Sequence, residues 1–294
     1  MTPSFLNYLR PPRSRVLLLA GLGALLAVPA AAGANTITSN NWSGYAVHRS
    51  GVSFERATAT WRQPAAVCAA GTAAYSAFWV GIGGYSLSSS AMEQIGSELD
   101  CNADGSQSLS AWYELVPAPS RTIRITVAGG DLITASIAVA GKQVTMTLSD
   151  RTRHERFVKT VHVRTLDLTS AEWIAEAPSE CSTATTCTTL PLADFGAVRF
   201  ANASAQTDTG ASASISSPLW NTTKILLGYS SAGTSFVAKT STAHATPSAL
   251  LSGGGQFLVS YSGASITAGS GAGGGGSSGG GGFGGGPGGG FAGG

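Results

Sequence analysis

Ile133-Thr134-Ala135-Ser136-Ile137-Ala138-Val139 and, five residues on, Val144-Thr145-Met146-Thr147-Leu148 place apolar side chains at every second position. A period of two puts successive side chains on opposite faces of an extended chain, so each segment reads as a half-buried strand. The same alternation recurs in 57–61, 122–127, 197–200, 224–229 and 257–261, with turn signals between them. Thr, Ser, Val and Ile dominate these segments, and none sustains a 3.6-residue apolar stripe. The pattern predicts an all-β protein, an antiparallel β-sandwich, over residues 35–262. At roughly 220 residues that is one domain with a core large enough to fold alone.

The two ends read differently. Arg10, Arg13 and Arg15 precede an apolar run from Val16 to Val28, and Pro29-Ala30-Ala31-Ala32-Gly33-Ala34 offers small-residue cleavage sites. Residues 1–34 therefore read as a signal peptide, with a run too short to span a bilayer comfortably. A secreted protein without stable membrane association is expected. After Tyr261 the chain collapses to Gly, Ser and Ala, and residues 263–294 read as a disordered tail unable to offset its ordering entropy by burial. Surface attachment through that tail is the sharper alternative to a plain flexible tail.

Charge and cysteines narrow the field. The chain carries 17 Lys and Arg against 15 Asp and Glu; the leader holds three arginines and no acid, leaving 14 against 15. A near-neutral surface gives no electrostatic case for a nucleic-acid partner. Cys68, Cys101, Cys181 and Cys187 are an even set in an exported chain, which favours two disulfides. Three pairings are open; Cys68–Cys101 with Cys181–Cys187 is the favoured one, because the second closes a short Ser/Thr-rich loop. His48, His154, His162 and His244 are scattered without ligand spacing, so neither a metal nor a cofactor is expected.

Five short elements occur in order: Asn41-Trp42-Ser43-Gly44-Tyr45, Phe78-Trp79-Val80-Gly81-Ile82-Gly83-Gly84, Glu93-Gln94-Ile95-Gly96, Ala111-Trp112-Tyr113-Glu114 and Ala171-Glu172-Trp173-Ile174-Ala175-Glu176. If 171–177 is a strand, Glu172, Ile174 and Glu176 share one face and Trp173 and Ala175 the other. From spacing alone this is a sheet face with two idle acids. Two carboxylates beside Trp are costly unless that face is a solvated groove.

As an ordered set these elements resemble the glutamic peptidases (eqolisins). The resemblance implies a β-sandwich of the concanavalin or jelly-roll kind with a cleft on one sheet face, and peptide-bond hydrolysis without metal or covalent intermediate. It places the catalytic pair at Gln94 and Glu176: Glu176 deprotonates the water and returns the proton to the leaving nitrogen, and the Gln94 amide stabilises the oxyanion. Trp42, Trp79, Trp112, Glu114 and Glu172 fall at supporting positions. Glu98 stands four residues after Gln94, where fungal members carry Asp, and Gly83 stands where they carry an acid. Glu93 has no family role and reads as a surface acid. Protein or peptide substrates, an acidic working range and a monomer follow as expectations.

Two other classes fit parts of the chain. A carbohydrate-binding module suits a sandwich with exposed Trp, and a glycosidase suits a carboxylate pair such as Glu98 and Glu176. Neither accounts for Gln94-Ile95-Gly96. No Gly-x-Ser-x-Gly elbow precedes the Gly-rich tail, and no His-Glu-x-x-His occurs. The leader makes its own prediction: N-terminal sequencing of exported protein is expected to begin near Asn35. Recovery of an intact Met1–Val28 segment in a membrane fraction would overturn it.

Overall fold

The computed structural model of the chain describes residues 34–86, 88–183, 186–228, 243–251 and 253–263, with backbone alone at 181–186. The leader reading (residues 1–33) and the tail reading (from residue 264) lie outside the described residues. All regular structure among the described residues is β. In chain order β1 (Asn35–Ser39), β2 (Trp42–His48), β3 (Phe54–Arg62), β4 (Ala74–Gly83), β5 (Met92–Cys101) and β6 (Gln107–Val116) come first. Then follow β7 (Arg121–Ile123), β8 (Leu132–Ala140), β9 (Gln143–Asp150), β10 (Glu155–His162), β11 (Ser170–Glu176) and β12 (Ser179–Thr183). The last are β13 (Thr186–Thr189), β14 (Ala197–Thr207), β15 (Ser212–Ser214), β16 (Asn221–Leu227), β17 (His244–Pro247) and β18 (Phe257–Ser262).

Sixteen of these strands form one sheet in the order β10-β9-β8-β3-β14-β18-β17-β16-β2-β11-β4-β5-β6-β7, with β1 joined to β16 and β15 to β14. β12 and β13 make a separate hairpin. Only β1 runs parallel to its partner; every other strand pairing is antiparallel. The main apolar cluster draws Trp61, Ile133, Leu148, Phe200 and Phe257 from one part of this order and Tyr45, Phe78, Ile95 and Trp173 from the other. The sheet therefore curls around a single core. Polar ties cross that core: the Trp61 Nε1–H donates to Ser97 Oγ at 3.1 Å, and the Trp173 Nε1–H to the Thr58 carbonyl at 2.8 Å.

Burial differs between the two arms. In β8 and β9 one face is buried and the other half-exposed, as their alternating sequence requires. β2 and β11 are buried at nearly every position. The reason is a second apolar cluster on their other face, built from Trp42, Ala46, Ala77, Trp79, Met92, Trp112, Val116, Ile174 and Ile225. Trp173 and Ala175 enter the main cluster while Ile174 enters the second, so β11 alternates as its sequence predicts.

One alternating segment is not a strand throughout. Residues 122–127 contribute only Arg121–Ile123, paired to Ala111–Tyr113. Beyond Ile123 the Ile125 N–H turns back to the Ile123 carbonyl, Thr126 N–H donates to Glu155 and Ala128 N–H to Asp131. Local and side-chain acceptors have replaced a sheet partner there. The Cys68–Cys101 disulfide is present, with Cα atoms 5.2 Å apart, and ties the loop before β4 to the end of β5. In the β12–β13 hairpin Cys181 lies opposite Cys187 in the register, and Cys187 is disulfide-bonded; the Cys181 side chain lies outside the described residues.

Gly96 marks a close approach of two strands. A Cβ on it would lie 2.2 Å from the Phe78 carbonyl oxygen and 2.6 Å from the Trp79 Cβ, both fixed by the β4–β5 ladder. Gly96→Ala is therefore expected to destabilise the fold by at least about 2 kcal/mol, read as a lower melting temperature. An unchanged melting temperature would show that β4 and β5 are further apart than described.

Candidate active site

The registers of β2, β11, β4, β5 and β6 set the five sequence elements side by side in three rows on one sheet face. The first row is Trp42, Glu176, Ala77, Glu98 and Ser110. The second is Gly44, Ile174, Trp79, Gly96 and Trp112. The third is Ala46, Glu172, Gly81, Gln94 and Glu114. Every site residue expected from the sequence lies in this array. Gln94 and Glu176 share the face, and the tryptophan row runs between theirs.

Glu176 is 4% exposed and held from two sides. Trp79 Nε1–H donates to its Oε2 at 2.7 Å, and Asn41 Nδ2–H donates to its Oε1 at 3.0 Å. The Trp42 ring meets that of Trp79 edge-on, centroids 5.1 Å apart, and its Nε1 turns toward the carboxylate without reaching hydrogen-bond geometry. Burial pushes the Glu176 carboxyl up to about 7, against the lowering pull of these N–H donors.

Trp79 also explains Gly81. A Cβ there would lie 2.8 Å from Cζ3 of the Trp79 ring, so the glycine makes room for the indole that reaches Glu176 from its other end.

Gln94 is 1% exposed, and its Nε2–H donates to Glu114 Oε2 at 2.6 Å. That bond fixes which way the amide faces. The second amide N–H and the carbonyl Oε1 are left for other partners; Oε1 has none among the described residues. The Glu114 carboxyl is pushed up to about 8 by burial first and by the charge of Glu176 second. Glu98 accepts a hydrogen bond from Ser110 Oγ and is half-buried, two strands from Glu176 in the same row; burial raises its proton affinity.

Glu172 is fully buried. Neither of its oxygens meets a hydrogen-bond partner among the described residues, and Ser170 lies beside it short of bonding geometry. Desolvation raises its carboxyl well above the ordinary range, with Asp167 and Glu93 adding to the effect.

Several expectations need correcting. The acids do not stand in a solvated groove: Glu172, Glu114 and Glu176 are all enclosed, and they tolerate it through raised proton affinity and N–H donors. Glu93 is not a surface acid. It is 1% exposed, its place in the strand alternation puts it on the face opposite Gln94, and burial together with Asp167 raises it to about 8. The exposed Trp that a carbohydrate-binding module needs are absent, since all six Trp of the chain are buried. Sequence reasoning missed Asn41, which reads as part of an Asn-x-Ser sequon; its place beside Trp42 in the first motif was the available signal. Among the described residues no group of three or more His, Cys, Asp or Glu is placed to hold a metal ion.

Comparison with known proteins shows the family. The Peptidase A4 family signature matches residues 40–244, well over half of the chain. Scytalido-glutamic peptidase, solved with a transition state analog inhibitor, is similar in structure with a TM-score of 0.61 at 26% identity, over 76% of this chain and 99% of that one. SCP-B, a member of the eqolisin family of peptidases solved in a complex with the tripeptide Ala-Ile-His, gives a TM-score of 0.57 at 25% identity, again over 76% and 99%. No curated protein sequence matches. With its five motifs in register on one sheet face, the chain belongs to the Peptidase A4 family and is a glutamic peptidase, an eqolisin.

Proposed function

We propose that this peptidase is a secreted endopeptidase in which Glu176 deprotonates the attacking water and Gln94 stabilises the tetrahedral oxyanion. The observation that carries the assignment is the contrast between the two side chains. Glu176 is a buried carboxylate with both oxygens addressed by N–H donors, and Gln94 on the same face keeps an amide N–H free after its bond to Glu114. A carboxylate so held has a fixed direction for accepting a proton. A primary amide anchored through one N–H can aim the other at developing negative charge without reorganising. Proton balance closes within the pair: water loses its proton to Glu176, its hydroxyl adds to the carbonyl carbon, and the same proton passes to the leaving nitrogen as the C–N bond breaks.

Trp79 and Trp42 form the apolar floor that excludes water from Glu176, and Trp112 extends it. Glu114 orients Gln94. Glu98 and Glu172, whose proton affinity burial raises, add polar surface beside the pair. We further propose two packed β-layers of the concanavalin type for the curled sheet, with the substrate crossing the three-row face. The tripeptide bound by SCP-B and the inhibitor bound by scytalido-glutamic peptidase support a peptide substrate. Secretion rests on the leader's composition, and a monomeric state and the 35–262 domain limits remain part of the same proposal. Although Glu98 shares a row with Glu176, the glycosidase alternative has no support in the family match.

Activity has a definite pH form. Glu176 must be ionised to act as base, so kcat/KM falls as pH drops through its pKa in the free enzyme. Glu114 lies at about 8, and its ionisation beside Glu176 and Gln94 closes the alkaline side. With Glu176 at about 7 and Glu114 at about 8, the maximum lies between these values, above the acidic range expected from the sequence.

Glu176→Gln is expected to abolish hydrolysis of an unfolded protein substrate at every pH while melting normally. Gln94→Ala is expected to lower turnover by about 10²–10³, the effect of one lost oxyanion donor. A folded Glu176→Gln enzyme keeping more than about a tenth of wild-type activity sinks the assignment and moves attention to Glu172.

Stability should depend on pH in an unusual direction. Glu93 and Glu114 at about 8 and Glu176 at about 7 all lie above the ordinary carboxyl value of 4.5. Between 4.5 and 8 the native state therefore binds more protons than the unfolded chain. Stability is fully present below about 4.5 and is lost as pH rises through the native values, by about 1.4 kcal/mol per pH unit for each such group. Chemical denaturation at pH 4, 6 and 8 tests this; greatest stability at pH 8 would show that these acids are ionised in the fold.

A further inference from the structure

Ser39 and Asn41 lie outside the set of residues given a catalytic or supporting role, yet they form a chain of bonds ending on Glu176. Ser39 closes β1, which runs along β16 from Asn35 opposite Thr223 to Ser39 opposite Leu227. Its carbonyl accepts from Gly228 N–H at 3.0 Å, which pins the end of that strand. Its hydroxyl oxygen accepts from two backbone donors, Asn41 N–H at 3.3 Å and Trp42 N–H at 3.1 Å. A serine hydroxyl has two acceptor lone pairs and one proton. With both lone pairs engaged, the proton has one direction left, toward Asn41 Oδ1 at 3.1 Å. That bond settles the orientation of the amide: with Oδ1 on Ser39, Nδ2 faces Glu176 Oε1 at 3.0 Å. Asn41 is 6% exposed, so water does not readily replace either bond. The Asn41 carbonyl also accepts from Ala177 N–H at 2.8 Å, tying the residue to the end of the strand that carries Glu176.

We propose that Ser39 and Asn41 are positioning residues that aim one N–H at Glu176 and thereby set the pH at which the base is ionised, linking the docking of β1 to catalysis. This rests on Glu176 being the base. An N–H donor stabilises the carboxylate over the acid, so it lowers the pKa of Glu176 and moves the acid limb of kcat/KM to lower pH. Other titratable groups bear on the same carboxyl. On the same face are Glu172 on β11, Glu98 and Asp100 on β5, Glu114 on β6 and Tyr75 on β4, while β2 brings only His48, six residues from Trp42. None of them donates to Glu176 Oε1; Asn41 alone does so among the described residues.

The test is the pH profile of kcat/KM on a peptide substrate for Asn41→Ala, Ser39→Ala, Ser39→Thr and Glu176→Gln, each checked for a wild-type melting transition. Loss of a hydrogen bond to a charged group is expected to move the acid limb of Asn41→Ala up by about one pH unit, tenfold in rate below the limb. Its high-pH plateau and KM should change little. Ser39→Ala frees the amide to turn its oxygen toward the carboxylate, so it should move the limb in the same direction, and Ser39→Thr should restore it. A structural role alone would lower activity equally at all pH values, and that result, or an unmoved limb in folded Asn41→Ala and Ser39→Ala, overturns the proposal. Glu176→Gln separates the two levels. If it is active, the base assignment fails and the relay with it; if it is inactive while the Asn41 and Ser39 limbs stay in place, only the relay fails.

Discussion

A carboxylate enclosed in a sheet covered on both faces is the constraint around which this molecule is arranged. Removing Glu176 from water is unfavourable unless hydrogen-bond donors replace the hydration, and an all-β framework offers few, because its backbone donors are engaged in ladders. The replacement comes from side chains, the Asn41 amide and an indole that is itself apolar in bulk. Trp79 brings one N–H on a large ring, so the donor arrives together with the surface that excludes water. Two glycines follow from that choice. Gly81 clears the far edge of the indole, and Gly96 lets β5 approach its base. Tryptophan, glycine and acid thus depend on one another.

The same enclosure divides the acids of the chain by role. Glu176 meets two donors and rises to about 7; Glu114 meets one amide and rises to about 8; Glu172 meets none and is raised well above the ordinary range. Burial is nearly equal, so their differences come from the donors each meets and from the neighbouring acids, Glu176 beside Glu114 and Asp167 and Glu93 beside Glu172. Pairs of titratable groups pushed apart in this way are where acid and base roles separate. The members raised further have a mechanical advantage when protonated: they fill polar space near a working carboxylate without adding like charge.

How much of this was legible in the sequence depends on which interaction decides each feature. The alternation in 133–139 and 144–148 predicts β8 and β9 because one face of those strands is exposed, and period two records a difference between faces. β2 and β11, buried on both sides, have no such contrast; only their motifs betray them. Residues 122–127 alternate yet leave the sheet after Ile123; the acceptor that takes the Thr126 N–H is Glu155, 29 residues on. Glu93 reads as a surface acid because charge usually implies exposure, and nothing local announces Asp167 on a loop more than seventy residues away. Asn41 was missed for a similar reason: its partner is 135 residues distant.

What made the catalytic array readable is a property of strands in register. Trp112 and Glu114, Gln94 with Gly96 and Glu98, Trp79 with Gly81, and Glu172 with Ile174 and Glu176 are all spaced by two or four, so each short motif supplies one column of the array. The antiparallel ladders then supply the rows, which no single motif contains. A shift of one residue in any ladder would send that column's functional side chains to the opposite face, into the main core. Tight registers are held by tight contacts, and one of these, Gly96 against Phe78 and Trp79, lies in the middle row between Gln94 and Glu176. The glycine that gives the third motif its signature therefore acts at a distance from the chemistry: it fixes the β4–β5 register, and with it the alignment of the amide and the carboxylate on one face.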